Sequence, residues 1–114
     1  MALAINIVDI DSGEGNLYVF ATVTPSGNYS TGGDTLDFTT VANQLGASQA
    51  PVQVWVAGST GDAYAFIRAG SPALANGKIK ISTASATELA SGAYPARITG
   101  DTNIQLEAVF NKMI

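Results

Sequence analysis

Three groupings in this sequence have the residue types to do chemistry. Asp9, Asp11 and Glu14 fall within VDIDSGEG, and carboxylates on a glycine-bent chain are what a hard cation such as calcium requires. Neither the glycine nor the closing glutamate stands at the spacing of a helix-loop-helix calcium site, so a structural turn is the better reading. Asp34 and Asp37 in GGDTLDF, or Asp9 with Asp11, could be a carboxylate pair for glycoside hydrolysis, which needs two acids at a fixed separation across a cleft. Acids two or three residues apart on strands and turns are common as solvated edge groups, and we read them so. Ser82 follows Lys80 on one strand face, and in a chain without histidine only a lysine could activate a serine. That spacing alone does not make a nucleophile.

With no histidine and no cysteine, the chain lacks the usual general base, a disulfide framework and thiolate metal ligands. We assign no catalytic, cofactor-binding or metal-binding residue, and the chain is not expected to be an enzyme or to carry a cofactor. The aromatics Trp55, Tyr64, Tyr29 and Tyr94 could form a sugar-stacking platform; core and subunit contacts are the favoured reading, because aromatics concentrate at interface centres. Asn28 to Ser30 fits the glycosylation acceptor pattern, which has no meaning without secretion.

Charged residues make up 12% of the chain, about half the usual share for a soluble domain. A surface covered by neighbours can instead carry neutral Ser, Thr, Ala, Gly and Asn. Net charge is −4, and Arg68, Lys78, Lys80, Arg97 and Lys112 form no positive stripe of the kind that neutralises phosphates, so nucleic acid is not an expected partner. The start, MALAINIVDIDSG, has no basic flank and no long apolar run, and is read as neither a signal peptide nor a membrane span.

The elements that must position any site are strands. Apolar residues alternate with period two at Leu3, Ile5 and Ile7, at Leu36 and Phe38, at Val52, Val54 and Val56, at Ile79 and Ile81, and at Ile104, Leu106, Ala108 and Phe110. NLYVFATVTP is apolar on both faces, as for a strand covered on both sides. GSTG connects a hairpin between Val52–Ala57 and Tyr64–Arg68. Short helices are expected near Val41 to Leu45 and near Ala84 to Ala90, each before a glycine. Seven or eight strands with frequent turns predict an all-β single domain, a β-sandwich or small barrel with one or two helical turns. Leu36, Phe38, Val54, Ile79, Ile81, Leu106 and Phe110 should be its core.

Residues 1–28 read as an N-terminal arm and first strands, and 29–114 as the remainder of the same domain. Ala2 to Ile10 alternates like a strand and is followed by Gly13 and Gly15, so it could reach out to a neighbouring sheet edge; its removal should then leave the domain folded.

The ordered pieces GGDTLDF (32–38), NGKIKI (76–81) and LASGAYPARITGDT (89–102) resemble small head proteins encoded beside the capsid gene in tailed bacteriophages, over about residues 29 to 110. The resemblance implies a decoration, or cement, protein on the outside of the virion. It would be made in the bacterial cytoplasm, bind the major capsid protein and associate with itself as a homotrimer. Candidate contacts are Leu3, Ile5, Ile7, Thr35, Thr39, Trp55, Tyr64 and Tyr94, with Thr35, Thr39 and Thr40 forming a threonine-rich strand face. A host-glycan-binding tail or fibre module would use the same fold. Far-ultraviolet circular dichroism should show a strand-dominated spectrum; strong helical minima would contradict this fold class.

Overall fold

The computed structural model describes residues 3–13, 15–45 and 49–111. Glu14 and Lys112 therefore lie outside the described residues, as does Ala2 of the expected arm. The described chain forms nine strands: β1 Leu3–Ser12, β2 Asn16–Pro25, β3 Asn28–Tyr29, β4 Asp34–Leu36, β5 Gln53–Ala57, β6 Ala63–Ile67, β7 Gly77–Ser82, β8 Gly92–Ala93 and β9 Gln105–Asn111. Seven of them make one antiparallel sheet in the order β1, β2, β9, β5, β6, β7, β4, while β3 and β8 pair separately. The sheet curls into a half-barrel, and β4 with the 3-10 turn Phe38–Val41 comes round against β1. The all-β fold predicted from the alternation is the fold observed.

Alternation dictates what the curl encloses. Leu17, Val19, Ala21 and Val23 of β2 share a face with Leu106, Ala108 and Phe110 of β9, and both sets are buried. Val54, Ile79, Ile81 and Leu36 continue the same inner face, with Tyr64 and Phe66 packed against it from β6. All seven residues expected in the core are buried. Phe38 meets Phe110 edge to face at 5.1 Å, a preferred geometry for ring quadrupoles.

Four expectations need correction. First, β1 is no free arm: its backbone pairs with β2 from Leu3↔Pro25 to Ser12↔Leu17, and Leu3 and Ile5 are core residues. Second, the strand at Asp34 stops at Leu36. Phe38 through Val41 coil into the 3-10 turn, where Thr40 Oγ1 donates to the Asp37 carbonyl and the Thr39 amide to the Asp37 side chain. Asp37 competes here for local backbone groups and ends the ladder, so Thr39 and Thr40 do not share a strand face with Thr35. Third, the first helical segment forms, as α1 Ala42–Leu45, but residues 84–90 hold a turn with a bridge at Glu88; the second helix, α2, is Ala96–Thr99, just after Pro95. Proline has its φ preset for a helix start. Fourth, β2 is covered on its inner side and left partly open on the other, where Phe20 is 38% exposed.

β1 also contains a bulge. Ile7 pairs with Ala21 but Asp9 with Phe20, so Val8 is an extra residue, 66% exposed, and Ile10 instead of Asp9 turns inward. A bulge of this kind keeps the apolar set inward where the strict alternation of the sequence breaks. The β5–β6 hairpin forms too, but its ladder is reduced to Ala57↔Ala63. Beyond that pair the two strands part, and the Arg68 guanidinium reaches across to the Val52 carbonyl. Removing residues 3–12 should abolish cooperative unfolding in urea, since it strips Leu3 and Ile5 from the core. Ile81→Ala or Phe110→Ala should each cost about 2–5 kcal/mol in the same measurement.

Candidate functional site

The double glycine at 32–33 serves the architecture. Gly32 and Gly33 have φ of 99° and 118°, a left-handed region open mainly to glycine. A Cβ on Gly33 would lie 3.0 Å from Lys78 Cβ and 3.1 Å from the Ile79 carbonyl oxygen, so the turn lies directly on β7. Around it the Tyr29 hydroxyl donates to Glu88 Oε2 at 2.6 Å and accepts from the Ile81 amide at 3.1 Å, while the Gly32 amide donates to the same Glu88 oxygen at 2.6 Å. Burial, reinforced by the hydrogen bond to Glu88, pushes the Tyr29 phenol up to about 12, and the Tyr29 hydrogen bond holds the Glu88 carboxyl below its usual range.

Asp34 and Asp37 do not face each other across a cleft. Asp34 pairs with Ile79, points inward and is buried; Oδ1 accepts from the Ser30 amide at 3.0 Å, Oδ2 has no partner, and burial raises its pKa. Asp37 is spent on the 3-10 turn. Asp9 and Asp11 lie on the exposed side of β1, and no grouping among the described residues could hold a metal ion. Lys80 and Ser82 share the outer face of β7 with no hydrogen bond between them. Asp101 binds the loop after β5, accepting from the Ser59 amide at 2.8 Å and the Ser59 hydroxyl at 2.6 Å, which hold its carboxyl below the usual range. Gly58 must be glycine in this loop, because a Cβ there would come within 2.9 Å of the Tyr64 ring.

The contacts proposed from sequence scatter. Leu3, Ile5 and Tyr94 are buried, and Ile7 is partly buried on the inner face. Tyr94 packs edge to face on Tyr29 with centroids 6.2 Å apart, and Tyr64 points inward, its hydroxyl enclosed without a partner. The five candidate contacts other than Trp55, Thr35 and Thr39 are framework, and the four-aromatic platform does not form. Trp55, 50% exposed, and Thr35 stand on the outer face of the sheet, and Thr39 is exposed on its turn.

What Trp55 joins was not visible in the pattern. The registers Asp9↔Phe20, Phe20↔Glu107 and Glu107↔Trp55 lay four side chains in one row across β1, β2, β9 and β5. Acid alternates with aromatic ring along it. Val8, Phe20, Thr22, Trp55, Gln105 and Glu107 line a groove of about 560 Å³ there. The groove offers ring faces for stacking, the Glu107 carboxylate and the Gln105 amide for hydrogen bonding, and no nucleophile with a base beside it. The one signal that marked it in the sequence was the second apolar face of NLYVFATVTP.

Comparison with protein families, curated proteins and solved structures finds no match to this chain. No helix among the described residues is long and apolar enough to cross a membrane.

Tyr29, buried, and Tyr64, partly buried with its hydroxyl enclosed, should respond oppositely to loss of the hydroxyl. Tyr29→Phe removes the acceptor of the Ile81 amide and one of the two donors to Glu88, leaving the Gly32 amide as the other, and should cost about 1–3 kcal/mol. Tyr64→Phe removes a buried hydroxyl that binds nothing, and should leave stability unchanged or raised. Both phenols are pushed up to about 12 from 10.0, so between those values the folded chain holds protons that the unfolded chain has lost. Stability must therefore fall as pH rises through that window. Urea titrations between pH 9 and 12 should show this fall, shallower in either phenylalanine variant.

Proposed function

We propose that this chain is a capsid decoration protein of a tailed bacteriophage, bound to the outside of the major capsid protein shell and linking neighbouring subunits. The observation that carries the reading is the surface of the sheet. Val8, Phe20, Trp55 and Ile67 on the strands, with Val52 just before β5, are large apolar side chains left exposed, in a chain with few charges and no histidine or cysteine. Exposed apolar surface on a small domain is the mark of a binding face. The similarity of 32–38, 76–81 and 89–102 to phage head proteins supplies the kind of partner. A linker of this sort acts by mass action, stabilising the assembled shell to the extent that it binds the shell better than separated subunits.

Heads carrying the protein should release DNA at a higher temperature than bare heads, and adding the purified protein back to bare heads should restore the difference. Equal release temperatures would end the cement reading. The groove at Trp55 favours one rival, a glycan-binding module, since a half-exposed indole beside a carboxylate suits a neutral pyranose. Trp55 is the single tryptophan, so its fluorescence titrated with neutral hexoses and disaccharides reports on that rival directly.

A further inference from the structure

Charge on this sheet is sorted by sign. The outer-facing charged residues of β1, β2, β9 and β5 are Asp9, Asp11 and Glu107, with no cation among them. Those of β6, β7 and β4 are Lys78 and Lys80, with no acid; Asp34, the one acid in these strands, points inward. The two fields do not neutralise each other within one molecule. They are separated by the β5–β6 parting, and the ion pair recorded among the described residues, Arg97 with Asp62 at 2.9 Å, lies elsewhere. Exposed apolar groups accompany each field: Val8, Phe20 and Trp55 on the acidic side and Ile67, in register with Lys78, on the basic side, where the polar Thr35 stands on the other flank of Lys78.

We infer that the acid–aromatic row Asp9, Phe20, Glu107 and Trp55 is a docking surface for a second copy of this chain, which presents Lys78, Lys80, Ile67 and Thr35. Each feature of one field has its complement in the other. Ammonium groups can pair with Glu107 and Asp9 and lie over the ring faces of Trp55 and Phe20, contacts that strengthen as water is excluded. Ile67 offers apolar cover for the rings. Because the two surfaces are different, the contact is head-to-tail, and a head-to-tail contact that closes makes a ring. This gives the homotrimer expected from the sequence a specific interface, and it stands apart from the capsid reading because it needs no shell. Such a ring would leave the loop ends of each half-barrel free for another partner.

The absence of cysteine makes the test clean. Glu107→Cys and Lys78→Cys are made separately, each at an exposed site, with circular dichroism and urea melts confirming the fold. Within one chain these positions lie three strand spacings apart, about 14 Å or more, and disulfides bridge Cα atoms no more than about 7 Å apart. Oxidising a mixture of the two proteins should give a covalent dimer at least about fivefold in excess of either protein alone. By sedimentation equilibrium in low salt, Glu107→Lys should weaken self-association about tenfold, as reversal of an interface charge does, and adding Lys78→Glu to the same chain should recover most of the loss. Dimers from the Glu107→Cys protein alone would mean like surfaces meeting and would overturn the proposal. So would a wild-type protein that stays monomeric at every concentration, including one whose Glu107→Lys variant loses only its binding to purified heads, which would give the row to the shell instead.

Discussion

The inner face of the seven-stranded sheet has only the two-stranded β3–β8 pair beside it, far too small to cover it, and the rest of the molecule is organised by the need to bury that face. Two packed sheets would share a core between flat layers. Here a single sheet must curl until its own edges approach, and the remaining gap must be filled by short pieces. Phe38 on its 3-10 turn, Ile98 on α2, and Leu89 with Tyr94 on the intervening loop all supply side chains to that purpose. The bonds of Tyr29 and Gly32 to Glu88 hold the turn after β3 to the loop that carries Leu89. A buried hydroxyl is expensive unless it is bonded, and Tyr29 satisfies both roles of its oxygen at the place where the closure needs fixing.

Curling gives the two sides of the sheet different duties. Inward positions are constrained by packing, so their pattern is strict; outward positions are constrained only by what the surface must meet. The outward residues are therefore where a partner's chemistry can be written without disturbing the fold. The sorting of Asp9, Asp11 and Glu107 from Lys78 and Lys80 costs the inner face nothing. It has an electrostatic consequence all the same, because unmatched charges of one sign on one half repel one another and are relieved by an opposite field from outside.

The inner face was legible in the sequence because burial imposes period two, and Leu36, Val54, Ile79, Ile81, Leu106 and Phe110 carry that period plainly. Phe38 was placed correctly in the core for an incorrect reason: its spacing from Leu36 reads as a strand, yet Asp37 captures the backbone ahead of Thr39 and Thr40 and coils it. The fate of Leu3 and Ile5 depended on whether β2 accepts β1 as a neighbour, which is a tertiary matter that alternation within one segment cannot decide. The bulge at Val8 was hidden for a related reason, since VDI alternates normally until a partner strand fixes its register. The row at Trp55 was the least legible feature. Its members come from four separate strands, and only the registers bring Asp9, Phe20, Glu107 and Trp55 side by side.

The parting between β5 and β6 has a mechanical meaning. Its neighbours on each side, β5 with β9 and β6 with β7, are each joined by five registered pairs, while the parting itself is spanned by Ala57↔Ala63 and, at its open end, by the Arg68 side chain on the Val52 carbonyl. The half-barrel is thus two well-laddered halves joined at one corner and strapped at the other. Side-chain packing on the inner face, where Val54 of β5 meets the same core as Tyr64 and Phe66 of β6, therefore carries more of the join along this line than the backbone does.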